Sequence, residues 1–160
     1  MLEYIVREMN PSEYPLLKNF LYEAIFQKEE TNLLPKSIIN EPSLKIYIEN
    51  FGAQPHDYCL LAEINKNIVG AVWVRAIPGF GHIGNDIPEF AISLYKQYRN
   101  QGIGNTLMKK MIAFLRQKGY HEASLAVQKK NYYALKMYEN LGFCQIAENE
   151  EEYIMKYLFH

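Results

Sequence analysis

The chain has 160 residues, enough for one domain with its own core and too few for two well-buried ones. A formal net charge of −1, with both signs interspersed, excludes a general attraction to nucleic acid or to an anionic membrane surface. No apolar run reaches the length of a membrane span, the amino-terminal MLEYIVREMN lacks the charged-then-apolar order of a signal peptide, and Cys59 and Cys144 have no metal-ligand spacing; a reducing cytoplasm and no metal are expected.

In chain order, residues 2–7 read as a first strand. Asn10, Pro11 and Ser12 break it, and Ser12 can cap a helix to about residue 26, with Leu16, Leu17, Phe20, Leu21, Ala24 and Ile25 as its apolar stripe. Residues 27–42 are irregular and carry Pro35 and Pro42, and a short helix is expected over 43–50. Strands at 58–64 and 68–76 flank a hairpin turn at Asn65-Lys66-Asn67. Residues 77–88, IPGFGHIGNDIP, are too long for a tight hairpin and too broken by Gly and Pro for an element, so they read as a functional or mobile loop.

A buried strand is expected at 89–94, followed by a turn and a helix from 102 to 118. That helix repeats Ile103, Leu107, Met111 and Phe114 at helical spacing, and Gly119 ends it. A strand at 123–127, a helix at 131–141 terminated by Gly142, and strands at 143–147 and 153–158 close the chain. The order β-α-α-β-β-β-α-β-α-β-β predicts an α/β fold with a mixed sheet, in one domain spanning residues 1–160.

The stretch LYKQYRNQGIG, residues 94–104, carries the chemistry. A turn that feeds straight into a helix presents free backbone N–H groups at the positive end of the helix dipole, a site suited to a phosphate or pyrophosphate. The alternative is a plain helix start, with Arg99 a surface charge. The turn lacks the Gly-Lys-Ser/Thr end of a P-loop and the three-glycine dinucleotide pattern, which disfavours ATP or NAD.

Two segments together resemble the GNAT superfamily of N-acetyltransferases. Arg99-Asn100-Gln101-Gly102-Ile103-Gly104 is similar to its Arg/Gln-x-x-Gly-x-Gly/Ala motif. Asn131, Ala134 and Tyr138 through Phe143 are similar to its Asn, Ala, Tyr-Glu-x-Leu-Gly-Phe motif. The resemblance implies a GNAT fold and acetyl-CoA as co-substrate. Its pyrophosphate would lie on the turn from Arg99 to Asn105, including Asn100, Gln101, Gly102, Ile103 and Gly104. Its pantetheine arm would pair with the backbone of Ile92, Ser93 and Leu94, where the central strands splay. Asn131, an evident helix N-cap, would also reach the pantetheine region.

In this resemblance Tyr138 is the candidate acid, since a phenol with an ordinary pKa of about 10 can return a proton to a thiolate; the alternative is a core tyrosine. Glu89 is the candidate base, directly or through water; the alternative is a strand-end surface carboxylate. His82 and Asp86 are weaker substitutes. Some protein N-terminal acetyltransferases of the superfamily place a glutamate on the strand before Asn131, where this chain reads ASLAVQ and offers none.

The acceptor, a small-molecule or peptide amine, would meet walls drawn from Tyr22, Phe26, Tyr47, Phe51, Trp73 and Phe80. Glu29, Glu30 or Asp86 could attract a cation. The expected activity is direct acetyl transfer in a ternary complex, because neither cysteine falls in the motifs; the alternative is an acyl-CoA-binding sensor or scaffold without turnover. Members of this superfamily often dimerise, so a homodimer is an arrangement the resemblance allows, though no seam is visible in the sequence.

Overall fold

The structure, a computed structural model, describes residues 3–27 and 33–159. Among them lie seven strands in one sheet: β1 (Ile5–Glu8), β2 (Tyr58–Ile64), β3 (Asn67–Arg75), β4 (Glu89–Leu94), β5 (Glu122–Gln128), β6 (Cys144–Glu148) and β7 (Glu152–Leu158). The helices are α1 (Leu17–Ala24), α2 (Pro42–Lys45), α3 (Ile103–Gln117) and α4 (Tyr132–Leu141). The sheet order is β1-β2-β3-β4-β5-β7-β6, antiparallel throughout except for β4 beside β5. The chain order of elements is the one expected, and the fold is mixed α/β.

The central strands are apolar on both faces, because each face carries a helical layer. Alternation sorts their side chains. Leu60, Ala62, Val72 and Val74 join Ile103, Leu107, Met111 and Leu115 of α3 in one core, whereas Cys59, Leu61, Ala71 and Trp73 join Leu17, Phe20 and Leu21 of α1 in the other. The β2–β3 turn needs two left-handed residues, and Asn65 (φ 48°) and Lys66 (φ 69°) supply them.

Three expectations need correction. The first helix does not run from Ser12: residues Pro11–Leu16 form a 3-10 helix, with Pro15 inside it lacking an N–H to donate, and the α-helix begins at Leu17. The helix expected over 43–50 is only the four residues of α2, and turns follow it. The first strand begins at Ile5.

Those turns are built around one buried cation. Arg75, 2 % exposed, donates Nε and Nη2 to the two Asp57 carboxylate oxygens at 2.9 and 3.1 Å. Its Nη1 donates to the Ile46 and Glu49 carbonyls at 2.9 and 2.8 Å, satisfying main-chain oxygens the short helix leaves open. Asp57 in turn accepts from the N–H groups of Gly52 and Gln54. Trp73 Nε1 donates to the Tyr47 carbonyl at 3.1 Å. The segment from 46 to 57 is thus tied to β3, and Tyr47 with it.

Removing one partner of such a buried pair strands the other. Asp57→Ala is expected to lower the free energy of unfolding by about 3–5 kcal/mol, read by urea denaturation. A loss below about 1 kcal/mol would show that Arg75 does not organise this segment.

Candidate functional site

β4 and β5 share a single residue pair, Glu89 with Ser124, closed by the Ser124 N–H donating to the Pro88 carbonyl at 3.0 Å. Beyond it the strands part, and a cleft of about 590 Å³ opens between them. Strand alternation turns the main chain of alternate β4 residues toward the parted side. The Leu94 carbonyl there accepts from Arg99 Nε at 3.0 Å, so the Ile92 N–H and carbonyl are the groups left facing the cleft. Ser93 also lines it, but its hydroxyl donates to the Phe20 carbonyl at 2.6 Å.

One end of the cleft is the start of α3. Asn100 (φ 61°) and Gly102 (φ 88°) are left-handed, and their reversal swings the chain abruptly from turn into helix. No side chain caps this helix, so the N–H groups of Ile103, Gly104 and Asn105 open toward the cleft. A Cβ at Gly104 would meet nothing closer than 3.5 Å; the space in front of the turn is not filled by the chain.

Arg99 lines this end, but it donates Nε to Leu94 and Nη2 to the Glu23 carboxylate at 3.1 Å, so it also ties the turn to α1. Asn100, Asn105 and Asn131 line the cleft. The Gln101 side chain instead donates back to the Gln97 carbonyl, and the Ile103 side chain is in the core.

The other end holds Glu89, which is not a surface carboxylate: it is 2 % exposed. One of its oxygens accepts from the Tyr47 hydroxyl and from the Gly81 N–H at 3.0 Å, while Oε1 has no partner. Burial pushes its carboxyl up to about 7, against the opposing pull of the Tyr47 and Gly81 hydrogen bonds. Arg75 sits directly opposite it in the β3–β4 register but is committed to Asp57, which leaves Glu89 without a cation.

The glycines of the 77–88 loop have a local reason. A Cβ at Gly79 would sit 2.5 Å from the Tyr47 hydroxyl and 2.8 Å from Glu89 Oε1; one at Gly81 would sit 2.7 Å from the Leu125 main chain. The loop is glycine-rich because it wraps a carboxylate against β5, where Ser124 Oγ donates to the Gly81 carbonyl at 2.6 Å. Tyr47 holds both sides of that wrap, donating to Glu89 and accepting from the Phe80 N–H at 2.8 Å.

Tyr138, 8 % exposed on α4, lines the cleft, and its hydroxyl has no partner among the described residues. Burial raises its pKa, so it stays protonated at neutral pH. Asn131 caps α4, accepting from the Ala134 N–H at 3.3 Å. Glu89 lies among the α1-side residues and Tyr138 in the α3–α4 core, so the cleft passes through the plane of the sheet.

Of the aromatics expected to wall an acceptor pocket, Phe26, Tyr47 and Phe80 do line the cleft. Trp73 is fully buried, Phe51 packs on Tyr14 and Arg75, and the Tyr22 hydroxyl donates to the Leu34 carbonyl. His82 and Asp86 are exposed and lie outside it; Glu29 and Glu30 fall outside the described residues. The Tyr47–Glu89 pair had no local signal, since 42 residues separate the two. Glu151 and Glu152 line the cleft as well, and nothing in their sequence context marked them.

Comparison with known proteins agrees with this geometry. The model of the Acetyltransferase (GNAT) family matches residues 21–143. Human N-alpha-acetyltransferase 30 is 28 % identical over 146 residues, covering 86 % of this chain; the chain spans only 38 % of that protein's length. The mouse protein named thialysine N-epsilon-acetyltransferase is 31 % identical over 120 residues, which cover 70 % of this chain and 69 % of that one.

Among solved structures, a GNAT-family acetyltransferase from Streptococcus pneumoniae superposes with a TM-score of 0.69 at 24 % identity, over 98 % of this chain and 99 % of that one. The PaiA N-acetyltransferase of Thermoplasma acidophilum, solved with coenzyme A, superposes at 0.72 with 17 % identity and the same coverage. At those identities the two structures show a shared fold. With a family match over most of its length, this chain belongs to the GNAT family of acetyltransferases.

Proposed function

We propose that this chain is an acetyl-CoA-dependent N-acetyltransferase that acts on a primary amine by direct attack, with donor and acceptor bound together. One observation carries the reading: a single cleft has an uncapped helix start at one end and, at the other, a buried carboxylate with an unpartnered oxygen near a protonated phenol. The relatives' names, an N-alpha- and an N-epsilon-acetyltransferase, support nitrogen as the receiving atom.

The residues fit the co-substrate. The N–H groups of Ile103, Gly104 and Asn105 would hold the pyrophosphate, and the Ile92 main chain would pair with a pantetheine amide in place of the missing β5 neighbour. Leu94 to Glu89 spans roughly 17 Å of strand, room for an extended arm from one end of the site to the other. Acetyl-CoA supplies the acetyl group, activated as a thioester.

Glu89 Oε1 accepts the proton of the incoming amine, so the nitrogen lone pair is free to form the new C–N bond. With a pKa of about 7 it is a base matched to neutral pH. Tyr138 donates its proton to the departing sulfur as the C–S bond breaks. Cys59 is buried away from the cleft, and Cys144 is exposed on β6; neither lines the cleft, which supports transfer without a covalent acetyl-enzyme.

Three measurements test this. Gly102→Asp places a carboxylate in front of the helix start and is expected to raise the Kd for acetyl-CoA at least about tenfold by calorimetry; an unchanged Kd removes this turn as the pyrophosphate site. Tyr138→Phe is expected to lower kcat about 10²-fold while leaving the Kd for acetyl-CoA within about twofold, and an unaltered kcat would exclude it as the acid.

The third is a pH profile. A carboxylate base must be ionised, so activity falls as pH drops through its pKa. With an acceptor amine far more basic than the pH range used, log kcat/KM should rise with slope two below about pH 7 and slope one above it. Glu89→Gln should leave slope one throughout with a loss of about 10²-fold or more. Tyr47→Phe, which removes a hydrogen bond that favours the ionised form, should move the break to higher pH. A wild-type slope of one at all pH values would count against Glu89 as the base.

A further inference from the structure

The cleft is electrically lopsided. Arg99 is the basic side chain lining it among the described residues. It lies at the α3 end, where it is bound to Leu94 and Glu23. At the far end the wall carries Glu89, Glu151 and Glu152. The last two are presented by the β6–β7 turn, where Asn149 Oδ1 accepts from the N–H groups of Glu151 at 3.0 Å and Glu152 at 2.8 Å.

Glu152 is half-buried, and burial holds its carboxyl above the ordinary range. Its charge is felt by both Glu89 and Tyr47, raising the pKa of each, so these groups share one electrostatic neighbourhood. No basic side chain near that end relieves it. Lys129 pairs with Glu148, Lys156 with Glu122 at 3.8 Å, and Arg75 with Asp57. Glu89, 2 % exposed, still has an oxygen without a partner. Partly dried carboxylates that repel one another and lack an internal cation are a receptor for external positive charge.

We propose that the acceptor is a diamine or polyamine, in which a second ammonium group lies a few methylenes from the amine that is acetylated. The inference rests on the N-acetyltransferase reading above and names its substrate class. The reacting amine meets Glu89 and the second ammonium meets Glu152, with Glu151 at the rim. The methylenes between them lie against Phe80, which stacks on Tyr47 with ring centroids 6.1 Å apart. The chemistry is unaltered: the C–N bond forms, the C–S bond breaks, Glu89 takes the amine proton, Tyr138 protonates the thiolate, and the second ammonium keeps its protons.

The test compares acceptors matched in length: 1,4-diaminobutane, spermidine, 1-aminobutane and 5-aminopentanoic acid, with a peptide bearing a free amino terminus and uncharged side chains. Thiol release and mass spectrometry of the products are read at saturating acetyl-CoA. The expected result is a kcat/KM for the two polycations at least about tenfold above 1-aminobutane, with the amino acid lower still. Glu152→Gln should shrink the diamine-to-monoamine ratio at least about fivefold, through KM more than kcat. Added salt should raise the diamine KM more steeply than the monoamine KM.

The wild-type ranking decides the matter even where the variant folds poorly. Equal kcat/KM for diamine and monoamine, or a ratio that survives Glu152→Gln in a folded protein, overturns the second-ammonium contact. Acetylation of the peptide alone overturns the diamine class and leaves N-acetyl transfer standing. Acetylation of none of these, in a protein that binds acetyl-CoA, overturns both readings.

Discussion

The pairing of β4 with β5 stops at Glu89 and Ser124, and the site depends on that early parting. A fully zipped parallel pair would consume the backbone groups of Ile92 and close the passage between the two faces of the sheet. Because it opens, one cleft touches the α3 start, the α1-side face that carries Glu89 and the α4-side face that carries Tyr138. Unpaired strand edges inside a protein are unfavourable unless something completes them. An extended amide-bearing arm is one such partner, and its presence in the proposed donor gives the opening a chemical purpose.

What holds the opening in shape lies to either side of it. On the β3 side, Arg75 gathers Asp57 and the carbonyls of Ile46 and Glu49, and Trp73 takes the carbonyl of Tyr47. Tyr47 then reaches across to Glu89 and to the glycine loop. On the β5 side, Ser124 fastens the same loop through the Gly81 carbonyl. A carboxylate held this way is dry and positioned, and it has no cation of its own. Burial without a counter-charge is what lifts it into the range where a base works at neutral pH. The same omission leaves the far end of the cleft negative, and Glu152 on β7 adds to it.

Much of the architecture was legible in the chain. The apolar spacing of Ile103, Leu107 and Met111 placed α3, and the runs at 58–64 and 68–76 placed β2 and β3 nearly to the residue. Asn131 read as a cap and is one. The turn at Gly102 read as a helix start with open N–H groups, and its left-handed φ without a side-chain cap agrees. The misplaced boundaries were local: Pro15 favoured a 3-10 start over a continuous helix, and the short α2 gave way to turns because Arg75, far along the chain, satisfies their carbonyls.

The amino-acid sequence by itself determined the order of elements, the face each helix buries and the helix start facing the cleft. Those follow from periodicity, glycine and capping, which act over a few residues. Only the tertiary structure decided that Glu89 is buried with one oxygen unpartnered, that Tyr47 is its hydrogen-bond donor, that Arg75 answers Asp57 in place of Glu89, and that Glu151 and Glu152 share the cleft. A charge or hydroxyl has no periodic signature; its pKa and its partner are set by desolvation and by neighbours that meet it only when distant segments pack together.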